Sequence, residues 1–97
     1  MKLAINQKEQ TLILNALTKT IDEHRKEKAF EFSINHANFV IKKTRNLIID
    51  DLADLILSKE EVKMVLFSLY FTAPSKLAKT HELSDLIFMI VYELKEA

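Results

Sequence analysis

Hydrophobic positions along this chain recur mainly at helical spacing. After a lead-in at Lys2 to Ile5 that reads as extended, Asn6 is followed three residues later by Glu9, a capping-box start. Ile13, Leu14, Leu17 and Ile21 then fall on one helical face, with Lys8, Glu9, Lys19, Asp22, Glu23 and Lys26 mostly elsewhere. The spacing predicts a first helix from about Gln7 to about Lys28. Residues 30–34, Phe-Glu-Phe-Ser-Ile, alternate apolar and polar, and a period of two suggests a strand. A lone five-residue strand has no evident partner, so a helix-to-helix connection or an early helical turn is the preferred reading.

A second helix is expected from near Asn35, with Val40, Ile41, Leu47 and Ile48 at helical spacing and Lys42, Lys43 and Arg45 on the other side. Asn46 is a candidate break. Ile48, Leu52, Leu55 and Ile56 continue an apolar face with Asp50, Asp51 and Asp54 solvated, so 35–57 reads as one long helix or as two pieces. Ser58 and Glu61 form a second capping box, which either opens a new helix or sits inside a longer one. Val62 to Phe71 is apolar nearly all round, which predicts a helix buried on most sides. It ends at Ala73-Pro74, because proline disfavours helix in the residue before it. Residues 75–80 are a polar link or a helical turn. Thr80 or Ser84 then starts a last helix carrying Leu83, Leu86, Ile87, Ile90, Val91 and Leu94 and closing at Glu93-Lys95-Glu96. Four helices joined by short links predict an all-α protein, an antiparallel four-helix bundle forming one domain over residues 1–97.

Composition narrows the function classes. At 97 residues and 48% hydrophobic, the chain has material for one core and not two. It contains no glycine, which excludes glycine-rich phosphate loops and the nucleophile elbow and leaves turns to Asn, Ser, Thr or Asp. It contains no cysteine, which excludes disulfides, thiol catalysis and thiolate metal sites. The longest apolar run, Leu86 to Tyr92, is far short of the roughly 20 residues of a membrane span. Met1 to Asn6 turns polar too early for a signal peptide, so a soluble cytoplasmic protein is expected. Fourteen Lys and Arg balance fourteen Asp and Glu, without the basic excess of a dedicated nucleic-acid binder. Residues 1–50 hold nine basic against six acidic residues and residues 51–97 five against eight, which suits packing of one half on the other.

The candidate chemistry is sparse. His24, His36 and His81 lie in three different elements and none sits at metal-ligand spacing, so they read as surface residues. Asp50, Asp51 and Asp54, and Glu60 and Glu61, read as a solvated helix face and a first turn, where the helix dipole favours negative charge. Lys42, Lys43 and Arg45 read as a solvated basic face. Leu77-Ala78 followed by Leu83-Ser84 loosely follows helix-turn-helix spacing, but Asp85 to Tyr92 lacks the Arg, Asn and Gln that read base edges. Met64, Leu66, Phe67, Phe71, Phe88 and Met89 exceed what one helix face buries. Central burial of these helices is the preferred account, and a partner-binding surface is the other. No catalytic set, cofactor site or metal site assembles, so the expectation is a protein that binds rather than an enzyme.

Leu69-Tyr70-Phe71-Thr72-Ala73, then Lys76-Leu77, Thr80 and Leu86-Ile87, resembles the immunity proteins for pediocin-like bacteriocins, particularly the enterocin A type. The specific likeness covers about 20 residues; Leu14, Leu17 and Lys42-Lys43 agree in pattern only. The resemblance implies a cytoplasmic antiparallel four-helix bundle that protects a cell by acting on the inner side of the bacteriocin's membrane receptor, the mannose phosphotransferase permease. Peripheral association with the membrane goes with that role. It also implies recognition by the 75–81 link and the last helix, with Lys76, Lys79 and His81 as the partner-binding residues. Pro74 departs from the polar residue expected in that link, and the chain stops at Ala97 where family members often carry a further tail. The alternative expectation is a small helical regulatory or adaptor protein acting by protein–protein contact, with a dimer as one form. Oligomeric state and contact residues stay open.

Overall fold

The computed structural model describes residues 1–28, 32–72 and 81–96. In chain order these form β1 (Lys2–Ile5), α1 (Gln7–Glu27), α2 (Ile34–Arg45), β2 (Ala53–Ile56), α3 (Lys59–Thr72) and α4 (His81–Glu96). The protein is mostly helical, as the spacing predicts, but it is not all-α: β1 and β2 pair as a two-stranded antiparallel sheet.

Both sequence-predicted capping boxes form. Asn6 Oδ1 accepts from the Glu9 N–H at 2.8 Å while the Asn6 N–H donates to Glu9 Oε1 at 2.9 Å, which starts α1 at Gln7. The Ser58 N–H donates to Glu61 Oε1 at 2.7 Å and the Glu61 N–H to Ser58 Oγ at 3.2 Å, which opens α3 as a new helix. α1 closes on Lys28 in the left-handed region, φ 43° and ψ 29°, with its N–H on the His24 carbonyl. That position favours glycine or asparagine. Here a lysine holds it, rather than the Asn, Ser, Thr or Asp expected of a glycine-free chain.

α2 begins one residue before the expected Asn35, with Ser33 Oγ accepting from the His36 N–H. Residues 30 and 31 of the alternating segment lie outside the described residues, and Phe32 and Ser33 belong to neither helix nor strand. α2 stops at Arg45 with Asn46 as its cap. Its end is held from α1. Gln10 Nε2 donates to the carbonyls of Thr44 at 2.8 Å and Leu47 at 3.0 Å, and Gln7 Nε2 to that of Ile49 at 2.9 Å. Carbonyls freed at a helix end need such donors.

The helical continuation expected through 48–57 is overturned. Of the four residues read as its apolar face, Leu55 alone is buried, while Ile48, Leu52 and Ile56 are 88%, 61% and 62% exposed. Residues 53–56 pair with β1 in the register Leu3 to Leu55 and Ile5 to Ala53. That alternation buries Leu3, Ile5 and Leu55 on one face and leaves Lys2, Ala4, Asp54 and Ile56 outside. Met1 and Leu57 extend the ladder by exchanging both backbone bonds, at 2.7 and 3.0 Å.

α1 packs against α2, α3 and α4, and α4 against β1. One core cluster draws on every element and includes Leu3, Ile13, Leu17, Val40, Leu55, Val65 and Leu86. α3 is not buried on most sides. Its inward stripe is Glu61, Val62, Val65, Ser68 and Leu69, and Phe67, Tyr70 and Phe71 face solvent. The end of α3 at Ala73-Pro74, the 75–80 link, Thr80 as a helix start and Leu77-Ala78 lie outside the described residues.

Candidate interaction surface

The core is wholly aliphatic among the described hydrophobic residues: Leu, Ile, Val and Ala fill it, and no phenylalanine or tyrosine is buried. Phe39, Phe67, Tyr70, Phe71, Phe88 and Tyr92 are all exposed, and Phe32 is half-buried against the core. The expectation that central helices absorb the surplus apolar residues is therefore corrected for Phe67, Phe71 and Phe88. Met64, Leu66 and Met89 are partly buried against the core.

α4 shows how this arises. Leu83, Leu86 and Ile90 form its buried stripe, and Ile87, Met89 and Leu94 flank it. Phe88 and Tyr92 are four residues apart on the opposite side, 74% and 62% exposed. His81 and Asp85 are exposed and continue the same stripe at helical spacing. On α3, Tyr70 is 60% exposed. Phe67 and Phe71 stack on each other, with ring centroids 5.5 Å apart and planes inclined by 16°, and Phe67 also meets Phe32 at 6.3 Å. An exposed ion pair, Lys8 to Glu82 at 3.0 Å, ties the start of α4 to the start of α1.

Of the sequence-predicted partner-binding residues, His81 is the exposed first residue of α4, on the stripe that carries Phe88 and Tyr92. Lys76 and Lys79 lie outside the described residues. Sequence reasoning missed Tyr92 and Tyr70. The available signal was their position off the Leu83–Leu86–Ile90 and Val62–Val65–Leu69 stripes.

The charged clusters do other things. Glu60 is exposed and reaches Lys63 at 3.7 Å, but Glu61 is buried. Besides the Ser58 N–H it accepts from Lys43 Nζ at 3.3 Å, and His36 Nε2 lies 3.4 Å away, forming an ion pair when the imidazole is protonated. Burial works to raise the Glu61 pKa, but the Ser58 N–H and the hydrogen bond and charge of Lys43 outweigh it and hold the carboxyl below its ordinary 4.5. Lys43, read as part of a solvated basic face, thus faces Glu61, and its ammonium also lies 4.6 Å from the centroid of the Phe39 ring. Lys42 and Arg45 are exposed. Asp50, Asp51 and Asp54 are exposed, as expected, but on a loop and a strand rather than a helix. Among the described residues no three His, Asp or Glu side chains gather as a metal site, and no helix is long and apolar enough to cross a membrane. No family model, curated protein or solved structure matches the chain.

Proposed function

We propose that this chain works by binding another protein through the outer face of α4 and the end of α3, and that it performs no chemistry of its own. The placement of five aromatic side chains of α3 and α4 outside an aliphatic core carries the reading. Leaving a large apolar side chain in water forgoes roughly 2–3 kcal/mol of burial, and aromatic residues are what protein interfaces concentrate at their hot spots. In this reading the helices run as an antiparallel bundle whose outer stripe, His81, Asp85, Phe88 and Tyr92, meets the partner. A photo-crosslinking residue placed at position 92 in cells is expected to give a discrete protein adduct that Phe88→Lys abolishes. The same residue at Arg25, exposed on α1, serves as background. An adduct pattern at 92 no different from that at 25 would sink the proposal.

A narrower reading is bacteriocin immunity, favoured because Tyr70 and Phe71, two of the residues that carry the resemblance, stand exposed on the last turns of α3. The chain then acts from the cytoplasmic side on the bacteriocin-bound mannose phosphotransferase permease, peripherally at the membrane, with Lys76, Lys79 and His81 in the contact. The two-stranded sheet is no part of what the resemblance implies. Expression in a sensitive strain is expected to protect against at least one pediocin-like bacteriocin of a panel, and to protect less with Tyr70→Ala. Full sensitivity to the whole panel removes this reading and leaves the broader one standing.

A further inference from the structure

In an antiparallel ladder, pairs that exchange both backbone bonds alternate with pairs that exchange none. Met1 and Leu57 exchange both. With the observed register, Leu3–Leu55 and Ile5–Ala53 are then bonded pairs, and Lys2–Ile56 and Ala4–Asp54 are not. The N–H and C=O groups of Asp54 and Ile56 therefore point away from β1, along the outer edge of β2. Among the described residues the sheet has two strands, and β2 forms one edge of it. Among them α4 packs on β1, and no helix makes a comparable contact with β2.

The side chains along this edge form a second pattern. Leu52, Asp54 and Ile56, two residues apart, are all exposed, an apolar–acidic–apolar row. Ile48 adds a side chain that is 88% exposed, and Asp50 and Asp51 add two further carboxylates. None of the three aspartates is in an ion pair among the described residues. Aspartates alone would read as guards against edge-to-edge pairing. A guarded edge has no use for Ile48, Leu52 and Ile56 in water.

We infer that the outer edge of β2 accepts an extended segment of another protein as a third strand, and that the segment presents apolar, basic and apolar side chains at alternate positions. Main-chain bonds to Asp54 and Ile56 supply the affinity, and a Lys or Arg beside Asp54 with apolar groups beside Leu52 and Ile56 supplies the choice. A second copy's β2 is the wrong occupant, because it brings the same three aspartates. This site uses none of the aromatic residues of α3 and α4, so either proposal can fail while the other stands.

The test uses the full chain and three synthetic peptides: Thr-Val-Thr-Lys-Thr-Val-Thr, the same peptide with Glu for Lys, and the Lys peptide N-methylated at alternate amides so that it cannot join an edge. The Lys peptide is expected to bind at least tenfold more tightly than either control and to slow amide exchange at Asp54 and Ile56 at least fivefold, with Leu55 unchanged. Asp54→Lys, a surface change checked for folding by circular dichroism, is expected to reverse the preference between the Lys and Glu peptides. Equal binding of the Lys and Glu peptides, binding without added protection at 54 and 56, or no binding would each overturn the inference. So would a self-associated dimer, seen by sedimentation, that protects those two amides without any peptide.

Discussion

Glu61 is a carboxylate taken out of water and given two donors, the Ser58 N–H of its own helix cap and Lys43 Nζ of α2, with His36 Nε2 3.4 Å away. Its folded pKa lies below the ordinary 4.5, so the ionised form is the one the fold stabilises. That contribution is fully present above the ordinary value and is lost as the pH falls through the lower folded value. Glu61→Gln is expected to cost about 2 kcal/mol at neutral pH, less than a fully enclosed pair because Lys43 is about one-third exposed and can regain water. Urea melts of the two proteins should converge as the pH falls below the ordinary carboxylate range; a gap that does not narrow with falling pH would contradict the assignment. Lys28 makes the opposite case. A lysine in the left-handed region pays for its Cβ, so Lys28→Gly is expected to raise stability by about 1 kcal/mol in the same melts. The capping partners Asn6–Glu9 and Ser58–Glu61 were legible because they are three residues apart in the chain. Lys43 and His36 were not, because they reach Glu61 across 18 and 25 positions.

At the scale of elements, local signals worked where an element is stabilised locally. α1 carries its own cap, its own apolar stripe and enough length, and its predicted limits match within a residue. Residues 48–57 carry apolar groups at spacings that satisfy a helix about as well as a strand, and the choice rests on β1, some fifty residues away. The ladder makes this choice testable with proline. Ala53 donates its N–H to Ile5 in the bonded register, whereas Asp54 points its N–H outward. Ala53→Pro is therefore expected to destabilise by about 2 kcal/mol or more, and Asp54→Pro by clearly less. In a helix over 48–57 both prolines would be comparably disruptive. Thermal unfolding of the two variants distinguishes the cases.

Across the described helices the buried hydrophobic side chains are aliphatic and the exposed large ones are aromatic, and α4 lets that division be measured within a single turn. Leu86 is fully buried and Phe88 is 74% exposed. Leu86→Ala is expected to cost about 3 kcal/mol, whereas Phe88→Ala and Tyr92→Ala should each stay within about 0.5 kcal/mol while removing partner binding. Denaturant midpoints beside the yield of a photo-crosslinking residue at position 85, exposed on the same stripe, separate these effects. If Phe88→Ala proved as costly as Leu86→Ala, Phe88 would be a core residue and the interaction surface would be lost.

The chain by itself determined a mostly helical protein, the starts of α1 and α2 to within a residue, both capping boxes and the lack of glycine- and cysteine-based chemistry, since these depend on residue identity and short spacing. Tertiary structure decided which apolar residues are buried. A helix as apolar as α3 has more hydrophobic surface than its neighbours can cover, and only the packing of α1 on α3 selects Val62, Val65 and Leu69 over Phe67, Tyr70 and Phe71. It also decided that Gln10 ends α2 and that Leu3 recruits Leu55 into a strand. Contacts between residues 34 to 52 positions apart leave no periodic trace in the sequence, because each partner is free to satisfy its local pattern in more than one way until the other arrives.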